Sequence, residues 1–267
     1  MAEPPLRGHD LSCPYGGTLP KGTQPEGATN EQDASRKVRE MFTRIAPRYD
    51  LLNHLLSGQM DKRWRERAAK ELRPILERAD AQVLDLCCGT GDLAFSLARN
   101  ARARIIGADF SHTMLVRAKA KAVAEANGAA PVPFFEADAL RLPFADGSFD
   151  LVTTAFGFRN LANYEAGLRE ILRVLKPGGT VAILEFTEPA PGFIGDAYRF
   201  YCQKVLPKIG GLISGDAAAY AYLPKSVARF FHPSELAGLM QQVGYANVRF
   251  ILMMLNSVAI HIAVKSA

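Results

Sequence analysis

Two glycines set among acids carry the first chemical signal in the chain. Val83-Leu84-Asp85-Leu86 reads as a short strand buried on both faces, followed by Cys87-Cys88-Gly89-Thr90-Gly91-Asp92. Gly89 and Gly91 permit positive φ and let backbone N–H groups approach a ligand closely. Leu93, Leu97 and Ala98 then recur at helical spacing, so the turn opens a helix. Gly89-Thr90-Gly91-Asp92-Leu93-Ala94 also fits the dinucleotide pattern G-x-G-x-x-A, with Asp109 about 20 residues further on. A pyrophosphate, however, seeks the positive end of a helix. Here Asp92 occupies that end and Asp85 lies beneath it. Two carboxylates repel a pyrophosphate and suit a ligand with an ammonium and a sulfonium, which describes S-adenosylmethionine. A dinucleotide stays as the second candidate, and Asp92 as a plain helix cap as the third.

The elements that must hold these residues follow in order. Residues 104–109 form a second strand ending in Asp109, the position that binds ribose hydroxyls in doubly wound folds. Ser111 opens a helix through Met114, Leu115, Ala118 and Ala122, which Gly128 closes. A third strand spans 132–138, with Pro133 suiting an edge; Asp138 and Ala139 sit at its carboxyl end. Residues 149–154 make a fourth strand, followed by Ala155-Phe156-Gly157-Phe158-Arg159-Asn160. Leu168, Ile171, Leu172 and Leu175 mark a helix ended by Lys176-Pro177-Gly178-Gly179, and a fifth strand covers 180–185. This alternation predicts an α/β, doubly wound, mostly parallel sheet. Near the C-terminus a helix follows His232-Pro233-Ser234-Glu235 and stops at Gly244. Residues 248–255 and 258–264 form a hairpin around Asn256-Ser257, which makes the last strand antiparallel. His261, between apolar neighbours, reads as a satisfied edge histidine.

Residues 1–33 are rich in Pro, Gly and polar residues without periodicity, and read as a disordered tail lacking a signal-peptide core. Val38, Met41, Phe42 and Ile45 then mark an amphipathic helix; a basic helix containing Trp64 comes after it. This pair is either a lid over a substrate or a packed extension with a charged face. A single domain over 34–267 is expected, divided into helices (34–75), donor-binding core (76–190), substrate- or lipid-facing insertion (191–230) and C-terminal helix with hairpin (231–267). A chain of 267 residues, 48% hydrophobic, supports that size, and its net charge of +5 argues only weakly for nucleic acid. No apolar run is long enough to span a bilayer. Cys13, Cys87, Cys88 and Cys202 show no metal-ligand spacing, so no metal is expected, and a reducing cytoplasm is the simplest compartment.

Asp85 to Asp92, Leu142-Pro143-Phe144 with Ser148-Phe149-Asp150, and Leu175 to Gly179 resemble class I S-adenosylmethionine-dependent methyltransferases. Phe42 to Asn53, Phe156 to Asn160 and Leu184-Glu185-Phe186 resemble, more narrowly, the ubiquinone/menaquinone biosynthesis C-methyltransferase family, over residues 38–265. The resemblance implies C-methylation of a prenylated quinol, with demethylmenaquinol first. A bifunctional ubiquinone/menaquinone enzyme, or one acting on another lipid or phenol, is the alternative; Ala155 leans toward menaquinone alone. It implies that Asp85, Gly89, Thr90 and Gly91 hold the methionine end of S-adenosylmethionine, Asp109 its ribose, and Asp138 and Ala139 its adenine. Arg159, Asn160 and Tyr49 become the expected catalytic residues. Asn53, His54 and Phe156 become substrate contacts, with His54 as a reserve base. The expected partners are the quinol and an anionic membrane face, through the aromatic stretch 193–222 and the basic first helices, with core packing the rival reading of that stretch; a homodimer is compatible with the sequence.

Overall fold

The computed structural model describes residues 21–99, 101–124, 132–189, 192–201, 204 and 217–266. Its seven strands are β1 (Gln82–Leu86), β2 (Arg104–Asp109), β3 (Phe134–Glu136), β4 (Phe149–Ala155), β5 (Leu175–Phe186), β6 (Tyr245–Met253) and β7 (Val258–Lys265). They form one sheet in the order β3-β2-β1-β4-β5-β7-β6. The first five strands are parallel; β7 runs antiparallel between β5 and β6. Chain order reverses beside β1, and the crevice at the carboxyl ends there is where open α/β sheets bind ligands.

Strand alternation sends the core to both faces. Leu84 and Leu86 join Leu168, Ile171, Leu236 and Met240 on one side, while Val83 joins Trp64, Leu93, Leu97 and Leu115 on the other. The covering helices on the first face are α7 (Tyr164–Val174) and α10 (Pro233–Val243); on the second they are α3 (Met60–Glu71), α5 (Asp92–Ala98) and α6 (His112–Ala124). Each reads from its apolar spacing, and Gly244 ends α10 at φ +112° as a left-handed stop. The remaining helices are α1 (Glu31–Ile45), α2 (Tyr49–Leu56), the single turn α4 (Arg73–Leu76), α8 (Phe193–Phe200) and α9 (Ala217–Ala228).

Four expectations need correction. α1 begins at Glu31, capped by the Asn30 side chain on the Asp33 N–H, and residues 21–30 are structured against the body, so no tail extends to residue 33. β3 is shorter than expected because only Phe134–Glu136 pair with β2 at the sheet edge. β5 begins at Leu175, since Leu175 already pairs with Phe149 before the Gly178 turn. His261 lies on the interior strand β7 rather than at an edge. Its Nε2 shares a 2.9 Å hydrogen bond with the Pro233 carbonyl, and Nδ1 has no partner among the described residues. Cys13, Gly128, Cys202 and residues 205–216 lie outside the described residues.

Burial pushes the His261 imidazole down to about 4. The unfolded chain takes up this proton below about 6.5, and the folded one only near 4. Stability present above pH 6.5 is therefore lost as pH falls toward 4, by roughly 3 kcal/mol from this group. Denaturant midpoints between pH 7 and 4 should show the loss, and His261→Gln should flatten it.

Candidate active site

The turn after β1 folds as its glycines require. Gly89 sits at φ +55° and Gly91 at +87°. A side chain at Gly91 would meet the Phe95 and Phe134 rings at 2.8 and 2.9 Å. Asp109, at the end of β2, accepts the Gly89 N–H at 2.9 Å and the Ser111 N–H at 2.8 Å. Burial raises its carboxyl to about 6 against those two hydrogen bonds. Gly89, Asp109, Asp138, Ala139 and Asn160 line one cavity of about 60 Å³. Asp85, Gly89, Thr90 and Asp92 line an adjoining one of about 30 Å³. Together they form a cleft draped over the turn.

Asp85 is the unusual group in that cleft. It is fully buried; Oδ1 accepts from the Thr153 hydroxyl at 3.1 Å, and Oδ2 has no partner among the described residues. Burial raises its carboxyl to about 7. A buried, half-satisfied carboxylate is a natural seat for a ligand cation. Asp92 does not share that role. Arg65 approaches it at 3.2 Å and Lys121 hydrogen-bonds it, so the expected acidic ring loses this member to two cations. Burial alone would raise the Asp92 carboxyl, but those two charges hold it low. Thr90 donates to Asp50 of α2, which Lys121 also contacts at 3.1 Å.

A third cavity, of about 160 Å³, opens on the far side of Tyr49 and Phe156. Trp64, Phe156 and Phe186 form an aromatic wall, with the last two ring centroids 4.6 Å apart. Tyr49 and Phe156 line all three cavities and separate the cleft from this chamber. Phe156 takes φ +57°, a strained setting for a bulky residue and one that often marks a working site. Burial keeps the Tyr49 phenol protonated, and Asn53 hydrogen-bonds it.

Arg159 also lines the chamber. Its Nη1 donates to Glu185 Oε1 at 2.7 Å and to the Phe156 carbonyl at 2.6 Å, and its Nε to Ser226 at 3.3 Å. Among the described residues nothing accepts from Nη2. Asn160 faces the cleft instead; its Nδ2 donates to the Phe156 carbonyl and its Oδ1 accepts from Tyr222. His54 lines none of these cavities and bonds Asp61 at 2.7 Å. Ligand atoms of His54, Asp61 and Asp92 lie within 4.8 Å of one another. The cation among them is Arg65, 2.7 Å from Asp61. The structure thus gathers Tyr49, Asn53, Phe156 and Arg159 around one chamber and Asp85, Gly89, Thr90, Asp109, Asp138, Ala139 and Asn160 around the cleft; His54 lies outside both, and Gly91 packs against Phe95 and Phe134 beneath the turn instead of lining it.

A family model described as the ubiE/COQ5 methyltransferase family matches residues 29–265. This chain belongs to that family. The chain is 52% identical over 223 residues to the demethylmenaquinone methyltransferase of Thermus thermophilus, covering 83% of this chain and 98% of the relative. It is 49% identical over 217 residues to the enzyme of the same name from Deinococcus radiodurans, covering 81% and 88%. In fold it resembles a SAM-dependent methyltransferase of Thermotoga maritima at TM-score 0.59 and 20% identity, covering 86% of this chain and 100% of that one.

As a ubiE/COQ5 methyltransferase, the chain holds several site residues that sequence reading passed over. Arg65 and Lys121 looked like ordinary surface cations on amphipathic helices, yet they neutralise the acids around Thr90. Glu185 stood in the Leu184-Glu185-Phe186 motif and at the end of a strand but was given no role, because its pairing with Arg159 spans 26 residues. Ser226 and Tyr222 reach the site from α9 without any spacing signal.

Proposed function

We propose that the protein moves the methyl group of S-adenosylmethionine to a ring carbon of a prenylated naphthoquinol, converting demethylmenaquinol to menaquinol. One observation carries the reading. A cleft with the acids for a cationic nucleoside and a chamber walled by aromatic rings share Tyr49 and Phe156 as their common boundary. The names of the relatives supply the quinone, and the aromatic wall suits a planar bicyclic ring. When bound, the sulfonium supplies an already activated methyl group.

The residues then align, charge and shield. Asp85 holds the donor's ammonium, Asp109 its ribose hydroxyls, and Asp138 with the Ala139 N–H its adenine. Gly89, Thr90 and Gly91 frame the methionine end. Arg159 directs Nη2 at the quinol oxygen and stabilises the phenolate that makes the neighbouring carbon nucleophilic. Arg159 stays protonated, so it orients a water that takes the proton rather than serving as the base. Asn160, which lines the cleft and not the chamber, holds the Phe156 carbonyl at the boundary between them in place of the ring-oxygen contact that the resemblance implied. Tyr49 and Asn53, on the helices of residues 34–75, close over the reactants, and Phe156 stacks beside the ring. Alignment of this kind is worth about 7–11 kcal/mol.

No helix among the described residues is long and apolar enough to cross a membrane. Phe193 and Phe200 on α8 are 89% and 63% exposed, beside the chamber mouth at Pro189 and Arg199. These rings support a path for the prenyl tail and peripheral contact with a membrane face.

The test is methyl transfer from isotopically labelled donor to a reduced short-chain demethylmenaquinone. Label on the ring carbon is expected. Label on oxygen, or transfer only to other phenols or sterols, would remove the proposal. Donor binding adds a pH signature. S-Adenosylhomocysteine keeps the ammonium, and Asp85 must be ionised to meet it. Affinity should be flat above pH 7.5 and weaken by up to about tenfold per pH unit on acidification below pH 7. Titration calorimetry on wild type and Asp85→Asn checks this; the variant should bind weakly and lose the slope between pH 7 and 6, keeping only that of Asp109 below about pH 6.

A further inference from the structure

We infer that residues 21–28, a segment preceding the family match at residue 29, form a strap that positions Arg159 and Asn160 through helix α9. The strap is built into the body. The Thr23 N–H donates to the Leu161 carbonyl at 2.8 Å, and the Tyr164 N–H donates to the Lys21 carbonyl at 2.9 Å. Gly22 passes so close to this loop that a Cβ would lie 1.8 Å from the Ala162 carbonyl oxygen. The same strap reaches the end of α9: Lys225 pairs with Glu26 at 3.2 Å on the exposed surface, and Arg229, the residue just past the helix, donates to the Gln24 carbonyl at 3.1 Å.

Thr23 makes the decisive contact. Its side chain is buried, and its hydroxyl shares a 2.7 Å hydrogen bond with the Tyr222 hydroxyl. Tyr222 donates onward to Asn160 Oδ1 at 2.9 Å. Because the Tyr222 proton is committed to Asn160, Thr23 is the donor in its pair with Tyr222, and the chain runs in one direction. One turn along α9, Ser226 accepts from Arg159 Nε at 3.3 Å. The helix therefore touches both residues of the Arg-Asn pair, and the strap fixes the helix. Segment 205–216, which leads into α9, lies outside the described residues, so the contacts named here are those that tie α9 to its N-terminal neighbour. Thr23, Tyr222 and Ser226 are positioning residues; none belongs to the donor-binding turn.

The inference rests on the quinol reading only for its kinetic arm. Thr23→Val removes one hydroxyl at constant shape. It should lower kcat about tenfold, the scale of one lost hydrogen bond, with S-adenosylhomocysteine affinity falling much less than kcat and the melting temperature lowered by no more than about 2–4 °C. Thr23→Ser should restore the rate. Tyr222→Phe should lower kcat as far, and Thr23→Val/Tyr222→Phe should go no lower than Tyr222→Phe, because both act through one chain. A wild-type rate in Thr23→Val, or additive losses in the double variant, would overturn the relay. A second readout needs no substrate. In protein carrying 13C at tyrosine Cζ, the resonance lost in Tyr222→Phe should shift in Thr23→Val; an unmoved resonance would overturn the contact. If wild type fails to methylate the quinol, the proposed function falls alone, and the resonance still decides the strap.

Discussion

Replacing Arg159 by leucine is expected to destabilise the protein by about 3–5 kcal/mol, the usual result of stranding a buried charge. The same change should lower turnover by at least about a hundredfold, as loss of an aimed cation does at other active sites. The stranded group is Glu185, only 1% exposed, whose Oε1 accepts the Arg159 guanidinium at 2.7 Å. Oε1 also accepts the Phe186 N–H at 2.8 Å and Oε2 accepts the Arg159 N–H at 3.2 Å, neither of which cancels a full charge. The two effects separate in a second variant. Arg159→Leu/Glu185→Gln removes both charges while keeping an acceptor for the backbone, so it should recover most of the stability and none of the turnover. Denaturant unfolding and steady-state rates read the two quantities independently. Recovery of turnover in the double variant would make Arg159 a structural partner of Glu185 and nothing more.

Gly157→Ala is expected to disable donor binding while changing a single methyl group. Gly157 has an ordinary negative φ of −109°, so its requirement is one of space. A Cβ there would stand 2.4 Å from the Cys87 Cβ, where the loop carrying Arg159 and Asn160 crosses the turn after β1. Neither side yields easily. Cys87 is held at φ +54°, and the Gly157 carbonyl accepts the Asn160 N–H at 3.0 Å. Overpacking of this kind costs about 1–3 kcal/mol. Driving the two loops apart should also weaken S-adenosylhomocysteine affinity by about a hundredfold or more, at roughly 1.4 kcal/mol per tenfold. Calorimetric titration measures the affinity and thermal melting the stability; wild-type values in both would show that the crossing is slack.

The fold was legible in the chain because local signals agreed with the global one. The strands of the parallel half announced themselves as apolar runs, and Gly244 and Asn256-Ser257 marked the antiparallel end, although β6 runs from Tyr245 to Met253 and not over 248–255. What the sequence concealed was long-range. Nothing in the spacing showed that β7 inserts between β5 and β6, which turned an apparent edge histidine into an interior one. The cleft was legible through Asp85, Gly89, Asp109 and Asp138, each at the carboxyl end of a parallel strand or in the turn that follows. The neutralisation of Asp92 was not, since Arg65 and Lys121 come from helices on either side of it. Composition misled the reading of residues 21–30. Pro, Gly and polar residues suggested disorder, but backbone hydrogen bonds to Leu161 and Tyr164 order that segment without any apolar period.

A crystal structure with S-adenosylhomocysteine bound tests the central claim most directly. The ribose should hydrogen-bond Asp109, the amino group should reach Asp85 directly or through one water, and the sulfur should face the chamber across Tyr49 and Phe156. A nucleoside lying outside the Gly89 turn, or a sulfur pointing away from the aromatic wall, would contradict it.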